Sequence, residues 1–196
     1  MRVPHAEFLA LDLDVHALLK DIPLRDVSVV DLPGGGDART IADVLRLMDD
    51  ARRRPAFPVR VLVALRRLLG RAFNWDGAPP YPAYASRLSD GQRRRSLSPI
   101  GAVSGPVRLI YEFPYEMVGE TTNSTVHAFS CMALRRRADG YRLYWAIYVE
   151  NVSAFTPIYM AAIEPFSALR GVSRDSRLAS GRMGITACSL IFSQAD

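Results

Sequence analysis

Between Thr125 and Val152 two strand-like segments, TVHAFSCMALRRR and YRLYWAIYVENV, flank an Asp139-Gly140 turn, and a compact helix candidate follows them. Period-two alternation broken by Asp-Gly is a strong short-range signal for an antiparallel hairpin. A long hairpin followed by a helix predicts a curved sheet closed by that helix, a shape able to wrap around a small hydrophobic molecule. It names neither the molecule nor a reaction.

Upstream, RDVSVVDLP (Arg25 to Pro33) reads as a first strand, and Gly34, Gly35 and Gly36 allow a sharp change of direction after it. Neither GxGxxG nor GxxxxGK[ST] is present, so these glycines are no phosphate loop. Asp37 or Thr40 can cap a helix whose apolar stripe is Ile41, Val44, Leu45 and Met48. A second helix is expected from Pro58, facing a core with Val59, Leu62, Val63, Leu69 and Phe73. From Asn74 to Pro106 the prolines, glycines and polar residues predict a long loop or lid rather than a further helix. In it, Trp75, Tyr81 and Tyr84 cover a pocket mouth or pin the loop to the body. Strands are expected at Val107 to Phe113 and Glu116 to Glu120, then a turn-rich TTNST. Helical spacing returns from Tyr159 to Leu169, with Pro165 as a flaw in that helix.

With Asp139 and Gly140 as a two-residue turn, Leu134 opposes Trp145, Met132 opposes Ile147 and Ser130 opposes Val149. One face then carries Val126, Ala128, Ser130, Met132 and Leu134 with Leu143, Trp145, Ile147, Val149 and Asn151. This is the expected ligand face: Ser130, Met132, Trp145, Ile147, Asn151 and, from the following helix, Tyr159 are its candidate binding residues. The reverse face carries His127, Cys131, Arg135, Tyr144, Tyr148 and Glu150, and its arginines argue for solvent exposure. A bulge would be needed to turn His127 and Glu150 inward, where imidazole and carboxylate can exchange a proton. Candidate catalytic residues are therefore His127, Glu150 and Ser130, each with an ordinary structural alternative. Tyr111, Glu112, Tyr115 and Glu116 form a further polar group that fits acid–base chemistry or a surface turn.

Composition narrows the function classes. The 196 residues are 49% hydrophobic and suit one domain over residues 1–196, although two small ones fit the same length. No apolar run reaches membrane-spanning length and the N-terminus lacks a signal-peptide pattern, so a cytoplasmic location is expected. Cys131 and Cys188 with His5, His16 and His127 form no ligand pattern, so no metal is expected. The net charge of +5 comes mainly from Arg52 to Arg54, Arg93 to Arg95 and Arg135 to Arg137. Without a nucleic-acid motif these runs read as solvated surface.

Four segments, RDVSVVDLP, the Arg-rich paired-helix region, LIYEFPYEMVGE and YVENVSAFTPIYMAAIEPFSAL, resemble the bacterial family DUF2867 over roughly residues 20–170. The positions that match the family pattern are Glu116, Gly119, Asn151, Tyr159, Pro165 and Phe166. The family is similar to START and Bet v 1-like helix-grip proteins, which implies binding of hydrophobic ligands and sometimes cyclisation or dehydration. The resemblance carries no catalytic motif to this chain. It implies an α+β fold: a curved antiparallel sheet packed on a C-terminal helix, with two additional helices. Residues 171–196 depart from it, since GITACSLIF reads as an added C-terminal strand that covers the pocket, completes the sheet or forms a homo-oligomer. The leading expectation is binding of a small hydrophobic molecule, with a cofactor-independent cyclase, dehydratase or isomerase as its enzymatic version. The rival is a noncatalytic interaction module using the basic patches and the C-terminal segment.

Overall fold

The longest alternating segments of the chain form the middle of its sheet. The computed structural model describes residues 1–36, 38–52, 84–104, 107–122 and 127–150. In chain order these hold α1 (His5–Leu9), α2 (Asp14–Leu18), β1 (Leu24–Pro33), α3 (Ile41–Arg52), a 3₁₀ turn (Tyr84–Arg87) and α4 (Asp90–Arg95). The strands β2 (Val103–Ser104), β3 (Val107–Glu112), β4 (Glu116–Thr122), β5 (His127–Arg137) and β6 (Gly140–Glu150) follow. All six strands join one antiparallel sheet in the order β1-β6-β5-β4-β3-β2. The α+β class and the first-strand, α3 and hairpin expectations hold. The helix expected from Pro58, the closing helix from Tyr159 to Leu169, and segment 171–196 lie outside the described residues.

The hairpin register differs from the expected one by two residues. Arg137 pairs with Gly140, which places Ser130 opposite Ile147, Met132 opposite Trp145 and Leu134 opposite Leu143. Gly140, at φ 153°, is the first paired residue of β6 and not a turn residue. It sits where the end of β1 crosses the turn, with Gly34 N–H donating to the Asp139 carbonyl at 3.0 Å. A side chain at Gly140 would run into the backbone of Leu32, Pro33 and Gly34. A shift of two keeps every side chain on its face, so the expected division into two faces survives. Gly34, Gly35 and Gly36 all take positive φ where the chain turns away from β1.

The inner face, defined here as the one α3 packs on, gathers Met117, Ala128, Met132, Leu134, Leu143, Trp145, Ile147 and Val149 beneath Ile41, Val44 and Met48. Thr40 precedes α3 and donates both its N–H and its hydroxyl to Asp43 Oδ2, each at 2.9 Å, which fixes the first turn. These bonds, the backbone one foremost, hold the Asp43 carboxyl below the usual aspartate range.

Solvent exposure of the outer face is corrected by the structure. Phe8, Leu13, Val15, Leu18 and Leu19 from the α1–α2 region, with Tyr84 and Leu88, cover Phe129, Cys131, Ala133, Tyr144, Ala146 and Tyr148. The arginines that suggested exposure lie at the hairpin's far end, beyond this cover. Arg136 and Arg137 are exposed, as are Arg93, Arg94 and Arg95 in α4, and some arginines of the two runs also hold the chain together. Arg135 donates to the Asp12 carbonyl at 2.6 Å, Arg95 bonds Asp14 at 2.8 Å and lies over the Phe113 ring, and Arg93 donates to Ala85 and Leu88 carbonyls. Residues 1–3 pair with the free edge of β1, through Val29 N–H to the Met1 carbonyl and Val3 N–H to the Val27 carbonyl.

A second correction concerns the expected long loop. Within residues 84–104 the chain forms the 3₁₀ turn and α4. Ser89 and Gln92 make a reciprocal capping box, Gln92 N–H to Ser89 Oγ at 3.2 Å and Ser89 N–H to Gln92 Oε1 at 2.9 Å. Those bonds outweigh the poor helix propensity of Asp-Gly. Tyr84 is buried under the Arg87 guanidinium and pins this segment to the sheet; Trp75 and Tyr81 fall outside the described residues.

Candidate functional site

The candidate residues divide between the two faces. Strand alternation puts Ser130, Met132, Trp145 and Ile147 on the inner face and His127 and Glu150 on the outer one, with no bulge in the β5–β6 ladder to turn either pair over. Asn151 and Tyr159 lie outside the described residues.

On the inner face, Trp145 Nε1 donates to Ser130 Oγ at 2.8 Å. An indole N–H only donates, so the serine oxygen is the acceptor and its own hydroxyl hydrogen points elsewhere. Met48, Met117, Met132, Ile147 and Ala128 belong to the same buried cluster as Trp145. Thioether side chains adapt their shape to irregular gaps at little cost. The same face holds Thr121, opposite Ala128 in the β4–β5 ladder, with its hydroxyl buried and, among the described residues, without a hydrogen-bond partner. Sequence reasoning missed Thr121 because TTNST was read as turn, whereas β4 runs on through Thr122.

On the outer face, His127 is 1% exposed and its Nδ1 lies 2.8 Å from Glu150 Oε2, its Nε2 3.3 Å from Glu120 Oε2. Tyr84 and Phe129 enclose the ring, and the Tyr84 hydroxyl reaches Glu150 at 3.5 Å. Burial pushes the Tyr84 phenol up, and the Glu150 carboxylate adds to this. An imidazole between two carboxylates can hold a proton and pass it to either, and Glu150 gives that group a path to solvent.

The Tyr111, Glu112, Tyr115 and Glu116 group does not form a carboxylate pair. Glu116 accepts the backbone N–H groups of Asp14 at 3.0 Å and Val15 at 2.8 Å, together with the Tyr111 hydroxyl. Burial raises its pKa against the pull of those donors. Glu112 turns instead to Ser98, and Tyr115 is exposed. Glu116 thus clamps the start of α2 to the sheet. Cys131 is fully buried, and burial pushes its thiol well above the ordinary range. A cleft of about 300 Å³ opens between α2 and α4, but Lys20, Asp21, Arg87 and Gln92 line it as much as carbon does.

A family model described as "Protein of unknown function (DUF2867)" matches residues 18–169. The chain belongs to this family. The DUF2867 match takes in the whole sheet and the inner-face candidates, and leaves residues 1–17, with α1 and most of α2, outside it. The curved sheet packed against helices is consistent with a helix-grip arrangement. Comparison with curated proteins and with solved structures found no match. Among the described residues no group of three or more His, Cys, Asp or Glu side chains can hold a metal ion, and no helix is long and apolar enough to cross a membrane.

Proposed function

We propose that this DUF2867 protein binds a small hydrophobic molecule against the inner face of its sheet. Both faces are buried, and the observation that supports the reading is the difference in their side-chain chemistry. The outer face is packed by the chain's own Phe8, Val15, Leu19, Tyr84 and Leu88. The inner face offers Met117, Met132, Trp145 and Ile147, a pliable apolar surface with a buried Ser130–Trp145 pair set into it. Ligand sites commonly combine an apolar lining with a few fixed polar groups.

Carriage fits this geometry better than turnover by the His127–Glu150 pair. That pair lies on the outer face against Tyr84, so it cannot touch a guest lying on Met132 and Trp145. An enzymatic version, as a cofactor-independent cyclase, dehydratase or isomerase, would have to work from Ser130 and residues near it.

Native mass spectrometry of freshly purified protein, followed by extraction and identification of retained molecules, tests the proposal. A stoichiometric apolar adduct, reduced when Met132→Trp fills the inner face, is the expected result. A protein that carries no adduct and takes up no added apolar probe would overturn it.

A further inference from the structure

Four residues on β4 and β5 form one mesh of the inner face. Gly119 pairs with Ser130 and Thr121 with Ala128. Opposed residues share a face, as do alternate residues along a strand, so Ser130 and Thr121 occupy one diagonal and Gly119 and Ala128 the other. The second diagonal has almost no side chain. Two hydroxyls therefore flank a shallow floor of backbone and a single methyl group, with Val107 leaning over Gly119 as one wall.

Neither hydroxyl has its bonding completed among the described residues. Thr121 is 2% exposed and its Oγ1 has no partner. Ser130 is 4% exposed and accepts from Trp145, which leaves its hydroxyl hydrogen available to donate. Buried hydroxyls in folded proteins are almost always paired, and two incompletely used ones on adjacent strands call for an explanation. Met117, Met132, Trp145, Ile147 and Val149 share this face, and the charged residue in the Ser130 row, Asp26 beyond Ile147, is already joined to Arg2. Among the described residues beside the two hydroxyls there is no cation to pair with a carboxylate, and a buried anion left unpaired is strongly disfavoured. A neutral oxygen would accept from both hydroxyls.

We infer that Ser130 and Thr121 form the polar end of the guest site, and that the guest is a neutral apolar molecule bearing an oxygen acceptor such as a ketone, ester or alcohol. The inference rests on the guest-binding reading above and adds the chemical class. It is tested on the full chain by displacement of the neutral fluorophore N-phenylnaphthylamine with methyl octyl ketone, decene and decanoate. Comparing ketone with decene across variants cancels the different affinities of the two probes for water. Thr121→Val keeps the side-chain shape and breaks none of the hydrogen bonds described, so its fold should persist. In it the ketone-to-decene affinity ratio should fall about tenfold, with decene binding unchanged or tighter. Ser130→Ala should lower the ratio similarly. A ratio that stays within about twofold of wild type in Thr121→Val, or decanoate binding tighter than the ketone, would overturn the inference while leaving guest binding intact. If the fluorophore and all three competitors fail to bind, the guest-binding reading itself falls and takes the polar end with it.

Discussion

Replacing Glu116 by alanine removes the acceptor that joins α2 to the sheet. Three donors lose their partner: the N–H groups of Asp14 and Val15 and the Tyr111 hydroxyl. Val15 and Tyr111 are fully buried, so water cannot readily replace the carboxylate there. At about 1–3 kcal/mol for each buried donor left unpaired, these two alone cost about 2–6 kcal/mol. Relief of Glu116's own burial penalty, seen in its raised pKa, offsets part of that. The net expectation is about 2–4 kcal/mol, a large fraction of the 5–15 kcal/mol typical of a folded domain. Urea unfolding at neutral pH reads this as a lower midpoint at unchanged slope. Glu116→Gln keeps one acceptor but turns an amide N–H₂ toward another donor, so it should lose less than alanine does. Its pH dependence has a definite sign. An acid whose folded pKa is raised contributes stability fully below its unfolded pKa and loses it as pH rises through the folded value. The deficit of Glu116→Gln against wild type should therefore shrink as pH climbs above the ordinary glutamate range. A Glu116→Ala protein within about 0.5 kcal/mol of wild type would refute the clamp, since that is the scatter of ordinary surface changes.

A Cβ added by Gly119→Ala would come 2.5 Å from Val107 Cγ1, and the resulting overpacking should cost about 1–3 kcal/mol in thermal or urea unfolding, relieved by Val107→Ala in the same chain. His127→Phe preserves the ring contacts with Tyr84 and Phe129 but leaves the Glu120 carboxylate buried opposite carbon; a loss of about 3–5 kcal/mol is expected, with partial recovery on adding Glu120→Gln. Asp43 has a lowered pKa because Thr40 donates to it, so its contribution is present above the ordinary aspartate pKa and disappears as pH falls through the folded value. Protection factors in the first turn of α3, taken against intrinsic exchange at each pH, should fall over that acid range in wild type, and Asp43→Ala should show the lower protection already at neutral pH.

Local chemistry in the sequence was enough to locate β1, α3, β3 and the β5–β6 hairpin, because alternation and helical spacing report which side of each element meets a core. It was also enough to divide the hairpin into its two faces, since parity is insensitive to a shift of two. The register itself depended on a tertiary fact, the passage of Leu32 to Gly34 beside Gly140, which no window around Asp139-Gly140 contains. The cover of the outer face depended on contacts of the same distant kind: nothing near Cys131 indicates that Phe8 and Val15 will lie on it. The Ser89–Gln92 capping box was readable in place, but the Asp-Gly and arginine residues that follow drew the reading toward a loop. Thr121 was hidden by its neighbours in TTNST, whose composition favours a turn while pairing with Ala128 continues the strand.

Methyl NMR of methionine- and alanine-labelled protein titrated with methyl octyl ketone tests most directly whether a guest is held against the inner face. Met48, Met117, Met132 and Ala128 lie on the inner side, Ala133 and Ala146 on the outer. Saturable shifts of the inner methyl groups, with the outer ones stationary, are predicted. Movement of Ala133 and Ala146 alone, or no movement of any inner methyl group at saturating ketone, would contradict the account.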